Sequence, residues 1–580
     1  MCSLSGFRCL LGVISLVSLV YQRNLLQNSS TYNFLFSTSA LIENKTFLLN
    51  EDEGNSIVAC KLPTLDPFHP SVLQFIKDLG KLHCEGVSYS SFDKNVLRVE
   101  GEGIVSAQYR KIERTPGNDF GIVLSDPVSV QRVTAGTQKG HFIGNTSVDA
   151  DFIRVEVVTS SGETKSDVHM HVFPKKEVLV RALTPDGIPL DVALIMFDST
   201  SAANFKRKMP NSLKYLTNNL DSILLQGETI VGDGTTAQLA ALLTGIEEKR
   251  QPEARRRKDS SQPVDSWRYK DRPKFAFSSH ADISHNAVNP VGYADDDLKA
   301  TLQTMEKESF LNNTLLIIFG DHGPRFSAFR KTIQGKLEER FPFMSITTPK
   351  WFPGKYPDLY NNLVHNSRVL TSPFDVYATL RHILSYPQYP SGIVTGQSLF
   401  SRIDEKNRTC ASAGVEDHWC PCLDLEEVSS NEPVVNEAAE FVVGYINNLT
   451  SQSDEMTKLC LRLVLKEIKS AFREMPKEAM QRFSGTKNDA LDACDGCEAV
   501  MGDKADNTLV RDTLYQLQIV TSPNEGFYEA SIRMKKGVPS LVGDISRIDA
   551  YKDQPYCIME KLPLLRKYCF CPPKTFVKEQ

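Results

Sequence analysis

Between residues 85 and 409 the chain has no cysteine, so its long middle must be stable on a buried core without disulfide staples. Charge of one sign is not in excess either. Lys and Arg total 66 against 71 Asp and Glu, a net charge of -5 with the signs interspersed, which excludes a nucleic-acid binder recognised by bulk charge. The one dense basic cluster, Arg255, Arg256, Arg257 and Lys258, has no interleaved aromatics and reads as a solvated loop. With 33 Gly and 30 Pro in 580 residues the chain is neither collagen-like nor low-complexity, and it has no internal repeat. At roughly 150 residues per domain it has room for two to four domains. Long apolar runs are absent except at the start. There, Cys9 to Tyr21 (CLLGVISLVSLVY) has the length of a signal-peptide core and is short for a bilayer span. Gln22 and Arg23 follow in place of a small-x-small cleavage site. Residues 1–23 are therefore either a removed signal peptide or a type II membrane anchor, and both export the rest of the chain.

The remaining features agree with export. Six Asn-x-Ser/Thr sequons, at Asn28, Asn44, Asn145, Asn312, Asn407 and Asn448, are candidate glycosylation sites. Beyond Cys2 and Cys9 there are eleven cysteines: Cys60, Cys84, Cys410, Cys420, Cys422, Cys460, Cys494, Cys497, Cys557, Cys569 and Cys571. They read as two disulfide-stapled flanks around the unstapled middle, the odd count leaving one thiol over. Cys494-Asp-Gly-Cys497 has no second C-x-x-C and no paired His at zinc spacing, which favours a structural role over a redox or zinc pair. The expected localisation is a secreted protein, or a type II membrane protein with an extracellular or luminal body.

Along the chain, residues 24–59 are polar and stalk-like. Residues 60–185 carry short β-like segments such as Ile122 to Val130 and Phe152 to Thr159, as in a small β-rich domain. From 190 to 404 apolar runs alternate with helical periodicity. Val192 to Phe197, Phe275 to Ser278 and Leu315 to Phe319 read as buried parallel strands, each ending in polar or ionisable residues where open α/β sheets bind ligands. Residues 405–580 are Cys-rich, with a helix start at Glu437 to Glu440, an amphipathic stretch from Met456 to Phe472, and YCFCPP near the end.

Chemistry collects at the strand ends. FDST delivers Asp198, FGDHG delivers Asp321 and His322, and GDGTT places Thr235 and Thr236 just before the helical AQLAALLTG. Two carboxylates, an imidazole and a hydroxyl at a helix N-terminus suit a divalent metal with a hydroxyl nucleophile and an incoming anion. Taken singly, Asp198 and Thr235 read rather as ordinary helix caps; the combination shifts the reading toward the site. The ligand set accommodates Zn, Mn or Mg, with Zn or Mn preferred because of the imidazole.

These residues carry a resemblance. VALIMFDSTSAANFKRKMPNSLKYL, VGDGTTAQLAALLTG, KFAFSSHADISHN with ADDDL, LNNTLLIIFGDHGPRFSAFRKTIQGKLEERFPF and LTSPFDVYATL together resemble the domain-of-unknown-function family 229, a secreted or type II membrane branch of the alkaline phosphatase and sulfatase superfamily. The resemblance runs from about Cys60 to the end and includes RTC and HWCPC. It implies an α/β fold, an alkaline-phosphatase-like three-layer sandwich with a mostly parallel sheet, preceded by a small β-rich domain and followed by a Cys-rich α+β region. It also implies metal-dependent hydrolysis or transfer of an anionic ester, on a glycan or lipid among other carriers. Asp198 resembles the first-strand metal ligand, Thr235 the metal-bound nucleophile with Thr236 as runner-up, and Asp321 and His322 the ligand pair of a later strand. The segment from His280 through Asp282 to His285 resembles the acid-x-x-x-His pair of a second metal site, one residue shorter, with Asp282 and His285 as its candidates. His280 reads rather as a satisfied core or surface histidine, and His365 as an ordinary loop residue. Arg325 is placed either to contact the substrate's anionic oxygens or to pair with Glu338 or Glu339. No C/S-x-P-x-R motif occurs at the nucleophile position, which favours phosphate over sulfate esters.

One departure bears on activity. Trp267 joins Arg268 directly where the family carries a long further segment, so the core is expected to be shortened at 267/268. The alternative to an active enzyme is thus a glycosylated, catalytically inactive pseudoenzyme or binding ectodomain. A purely β-type adhesion module is disfavoured by the α/β texture between 190 and 385.

Overall fold

A computed structural model describes residues 58–82, 88–93, 95–115, 118–133, 141–170, 173, 187–251, 275–325, 328–475, 513–559 and 562–573. The expectations for residues 1–23, Asn28, Asn44, most of the stalk, Cys84, the 267/268 junction and Cys494 to Cys497 lie outside them. The chain divides into two compact units, one from Cys84–Glu113 and Leu124–Phe173, the other from Cys60–His83, Arg114–Val123 and Pro174–Gln580.

The smaller unit is all β. Strands β1 (Ser90–Asp93), β2 (Val96–Glu102) and β6 (His141–Ser147) form one antiparallel sheet. In a second, β3 (Ile104–Thr115) pairs β7 (Phe152–Thr159), which pairs β8 (Thr164–Met170). Alternate residues, among them Leu97, Val99, Ile153, Val155 and Val157, face one shared core, as half-buried strands require. The expected segment Ile122 to Val130 is two strands, β4 (Asn118–Leu124), nearly all of which belongs to the larger unit, and β5 (Val128–Ser129) of the smaller, because Ser125, Asp126 and Pro127 interrupt it.

In the larger unit, residues 60–82 pack on the α/β body: Cys60 is bonded to Cys422, and the Pro67 carbonyl accepts from Arg207. The central sheet has the order β10-β13-β12-β9-β11. Strands β9 (Asp191–Phe197), β11 (Phe275–His280) and β12 (Thr314–Phe319) run parallel, β13 (Met344–Thr347) is antiparallel to β12, and β10 (Ile223–Leu224) is antiparallel to β13. All six residues of β12 are buried, which explains the unbroken TLLIIF run. On one face Val192, Leu194, Met196, Leu315, Ile317 and Phe319 pack with Leu242, Val376 and Ile383 from helices Thr235–Thr244 and Pro373–Ser385. The other face, with Ile195, Phe197, Leu316 and Ile318, is buried as well. This is the expected α/β class; the sheet is mixed, since three adjacent strands run parallel and the two on the β13 side are paired antiparallel.

The Cys-rich region is α+β. Strands β14 (Leu425–Val428), β15 (Val464–Glu474), β16 (Thr513–Ser522), β17 (Phe527–Lys535) and β18 (Val538–Arg547) form an antiparallel sheet in that order. Helix Pro433–Leu449 covers one face through Val435, Ala439, Val442 and Ile446. The helix begins before the expected Glu437, at a Pro in its first position. The stretch Met456 to Phe472 is mostly strand, not one amphipathic element: a short helix, Asp454–Leu459, gives way to β15. Among the described residues no helix is long and apolar enough to cross a membrane.

Candidate metal and nucleophile site

Parallel register builds the centre of the site. Phe319 of β12 stands opposite Met196 of β9, so Asp321 and Asp198, each two residues further on, leave the sheet at matching ends. Ser199 has a positive φ of 56°, and this turn aims its N–H at Asp321 Oδ1 (2.8 Å) while its hydroxyl donates to Asp198 Oδ1 (2.8 Å). The Asp198 N–H donates to the carbonyl of His280 (2.9 Å). Neither acid is a helix cap here, because Ser201 caps the helix Ala202–Lys208 that follows β9.

Asp198, Asp321 and His322 are all buried, and their ligand atoms lie within 4.8 Å of one another. His322 Nδ1 is 2.7 Å from the Gly323 carbonyl oxygen, which only accepts, so Nδ1 carries the proton and Nε2 is left with its lone pair. Nε2 faces Asp321 Oδ2 at 3.3 Å and Asp198 Oδ1 at 3.9 Å. Asp321 Oδ2 and His322 Nε2 are buried without a hydrogen-bond partner, although such groups are ordinarily satisfied. Burial first, and then the charge of Asp321, push the Asp198 carboxyl above its usual range, against the pull of the Ser199 hydroxyl. Converging bare acceptors repel one another and are relieved by a divalent cation, so this donor set fits one. The other two clusters of suitable spacing, Cys410 with Cys420 and Cys422, and Cys557 with Cys569 and Cys571, are made of disulfide-bonded cysteines.

The GDGTT turn lies against the same loop. Thr235 is the first residue of helix Thr235–Thr244 and Gly234 its N-cap, so Thr235 is not a cap. Gly234 is obligatory: its φ is +84°, and a Cβ there would stand 2.3 Å from Arg325 Nη1. Gln238 braces the turn, accepting from Val231 N–H (2.9 Å) and donating to the Gly232 carbonyl (2.8 Å). Thr235 is half-buried and Thr236 exposed, and neither hydroxyl enters a hydrogen bond among the described residues. Arg325 donates through Nη2 to Asp233 Oδ1, and its Nε lies 3.9 Å from Glu339 Oε1. Glu338 is engaged elsewhere, by Arg207 and the Ser201 hydroxyl. Arg325 thus ties the Asp321-His322 loop to the Asp233-Gly234-Thr235 turn.

The remaining candidates are placed as follows. Asp282 and His285 are exposed on the turn after β11, and His285 Nδ1 is 3.0 Å from Asn286 Oδ1. His285 is in Coulombic reach of Asp198, but no ligand cluster among the described residues includes it or Asp282. His280 ends β11 buried and stacked on Phe197 at 5.2 Å, and burial lowers its pKa, as for a neutral core histidine. His365 lies on helix Pro357–Asn366, not in a loop, with Nε2 3.1 Å from the Ile403 carbonyl and 3.2 Å from Glu405. Asn145, Asn312, Asn407 and Asn448 are exposed. Sequence reasoning missed Asp233 and its second partner Lys567, whose Nζ is 3.3 Å from Asp233 Oδ2. The only signal for Asp233 was its place inside GDGTT; Lys567 had none.

Comparison with known proteins gives one family. The model of the family described as protein of unknown function (DUF229) matches residues 105–269 and 266–469, two segments that meet at the 267/268 junction. No curated protein matches the chain. Among solved structures, the chain is similar to the C-terminal periplasmic domain of EcEptC from Escherichia coli, at 12% identity and TM-score 0.27, over 40% of this chain and 99% of that one. It is similar to the lipoteichoic acid synthase LtaP from Listeria monocytogenes at 11% identity and TM-score 0.23, over 38% and 76%. A protein in the alkaline phosphatase superfamily from Vibrio parahaemolyticus matches at 10% identity and TM-score 0.26, over 66% and 89%.

Proposed function

The chain belongs to the family of proteins of unknown function DUF229, and from that premise we propose that it is an extracellular or luminal metal-dependent hydrolase or transferase of phosphate esters with Thr235 as nucleophile. The observation that carries the reading is the convergence of two partnerless buried acceptors, Asp321 Oδ2 and His322 Nε2, beside Asp198. These three residues would hold the ion, Zn or Mn by their chemistry. Bound there, a divalent ion offsets developing negative charge and lowers the pKa of a nearby hydroxyl. The Nδ1–H bond to Gly323 fixes the His322 tautomer that presents Nε2. Asp282 and His285 are where a second ion would be sought.

Thr235 stands at the start of a ten-residue helix, whose N-terminal amides and dipole favour an anionic ester. Its Oγ forms a bond to phosphorus as the bond to the leaving alcohol breaks, and the hydroxyl proton passes to solvent. Water or an acceptor alcohol then displaces Thr235 in a second displacement, giving hydrolysis or transfer respectively. Thr236, next in the turn, is the runner-up. Arg325 orients this turn through Asp233. The absence of a C/S-x-P-x-R motif supports phosphate over sulfate. Four disulfides among the described residues fit an oxidising compartment, with residues 1–23 as the signal or anchor and the six sequons as glycan carriers.

The test is turnover of p-nitrophenyl phosphate by the exported chain with Mn2+. Thr235→Ala is expected to lower kcat by about a thousandfold while Mn2+ affinity changes by less than about threefold. Undiminished turnover by that variant removes Thr235 from the role. The second reading, a glycosylated pseudoenzyme, is favoured by the meeting of the two matched segments at 266–269. Metal binding without turnover by the wild type decides for it.

A further inference from the structure

We infer that Asp233 is a positioning residue for the nucleophile turn and that Lys567, from the disulfide-stapled C-terminal segment, is its second anchor, an inference that rests on the reading of Thr235 above. The two oxygens of Asp233 have different owners. Oδ1 accepts from Arg325, four residues beyond Asp321, and Oδ2 lies 3.3 Å from Lys567 Nζ. Lys567 is itself held: Nζ donates to Asp544 Oδ2 (2.6 Å), and its carbonyl accepts from the Tyr528 hydroxyl (3.1 Å) and Arg547 Nη1 (3.3 Å). Tyr568, the next residue, donates to Asp544 Oδ1 (3.1 Å), and Cys569 is bonded to Cys460.

The arrangement differs from a surface ion pair. The Asp233 and Lys567 side chains are only 9% and 11% exposed, so solvent screens them little. A carboxylate gripped on both oxygens by anchored cations fixes the plane of its own residue, and that residue precedes Gly234. Gly234, at a φ of +84°, has no side chain of its own, and Gln238 braces only the carbonyls of Gly232 and Gly234 and the N–H of Val231, so the grip on Asp233 adds the side-chain restraint next to Thr235. A displacement of about 1 Å at a nucleophile can cost about a hundredfold in rate. Arg325, from the loop that carries Asp321 and His322, holds one side of the turn, and the C-terminal segment holds the other through Lys567.

Hydrogen–deuterium exchange on the full, exported chain reads this without a substrate. In Lys567→Met the amides of residues 232–236 are expected to exchange about tenfold faster, while those of 198–200 and 320–323 stay within about twofold of wild type. Lys567→Arg, which keeps the charge, should restore protection. Asp233→Asn should give the same local signature and serves if Lys567→Met does not fold. With p-nitrophenyl phosphate and Mn2+, Lys567→Met should lower kcat by about 10- to 100-fold, with KM and Mn2+ affinity within about twofold. Unchanged exchange at 232–236 in folded variants of both residues, or an equal loss of protection in Lys567→Arg, overturns the inference. Absence of turnover in the wild type sinks the Thr235 reading and leaves the exchange result standing.

Discussion

Glu228 shows what a single buried residue can do to the pH response of this chain. It is 1% exposed; Oε2 accepts from the Thr371 hydroxyl (2.7 Å), and Oε1 has no partner. Burial raises its pKa from 4.5 to about 8, with the Thr371 bond opposing and Asp375 assisting. The folded form therefore keeps a proton that the unfolded chain has released between pH 4.5 and about 8. Stability contributed by this group is complete below 4.5, declines as pH rises through that window, and is level above it. Glu228→Gln should therefore gain about 1–3 kcal/mol over wild type at pH 8 and none at pH 4.5. Urea midpoints across that range check it, and a parallel pH dependence in both proteins would refute it. Legibility at this scale followed local chain context. Asp198, Asp321 and His322 were readable because each follows an apolar strand run that delivers it to the sheet's end. Asp233 and Lys567, 334 positions apart, read singly as solvated charges, because nothing local in either segment encodes their meeting.

At the scale of elements, helix Ile333–Arg340 meets β17 through charge instead of apolar packing alone. Glu529 on β17 is fully buried and faces Lys336 (3.4 Å), Arg340 (3.0 Å) and Arg330 (3.3 Å). Burial depresses Lys336 to about 8 despite the opposing pull of Glu529, and burial's upward push on Glu529 is outweighed by Lys336, Arg330 and Arg340, leaving it well below its usual range. Removing the shared anion strands buried cations, the costly way to break such a cluster. Glu529→Gln should destabilise by about 3–5 kcal/mol, whereas Lys336→Met, which removes a cation burial already disfavours, should cost under about 1.5 kcal/mol. Guanidinium unfolding of the two variants measures the difference; equal losses would refute the argument. The sequence concealed this joint and misled at β15. At the entry to β15 Leu461, Leu463 and Leu465 fall at every second position, with the β-branched Val464 between the last two, a strand signal inside a stretch that looks amphipathic at longer range. The three parallel strands of the central sheet were plain for the opposite reason: burial on both faces leaves an uninterrupted apolar run.

At the scale of the whole molecule, four disulfides among the described residues stitch the chain, and their pairing could not be derived from spacing. Cys410–Cys420 and Cys557–Cys571 close short loops, while Cys60–Cys422 spans 362 positions. Cys60 and Cys422 pack beside Leu370, Trp419 and Ile230, the last just ahead of the GDGTT turn in the chain. Loop-closure entropy makes the long link the stronger staple: replacing Cys60 and Cys422 together by Ser should cost about 4 kcal/mol, against about 3 kcal/mol for the Cys410 and Cys420 pair. Calorimetric melting of both double variants tests the order.

That long link also sets what proteolysis can release. The β strands of the smaller unit, within Cys84–Phe173, lie between Cys60 and Cys422 in the chain, so a peptide bond cut just ahead of them, in 83–88, frees no fragment. The clipped molecule still migrates as one species under non-reducing conditions and separates into two only when the sulfur–sulfur bond is opened. If residues 1–23 tether the chain to a membrane, shedding its body by such a cut takes two events, a protease and a reductant, and the first alone leaves the body where it was.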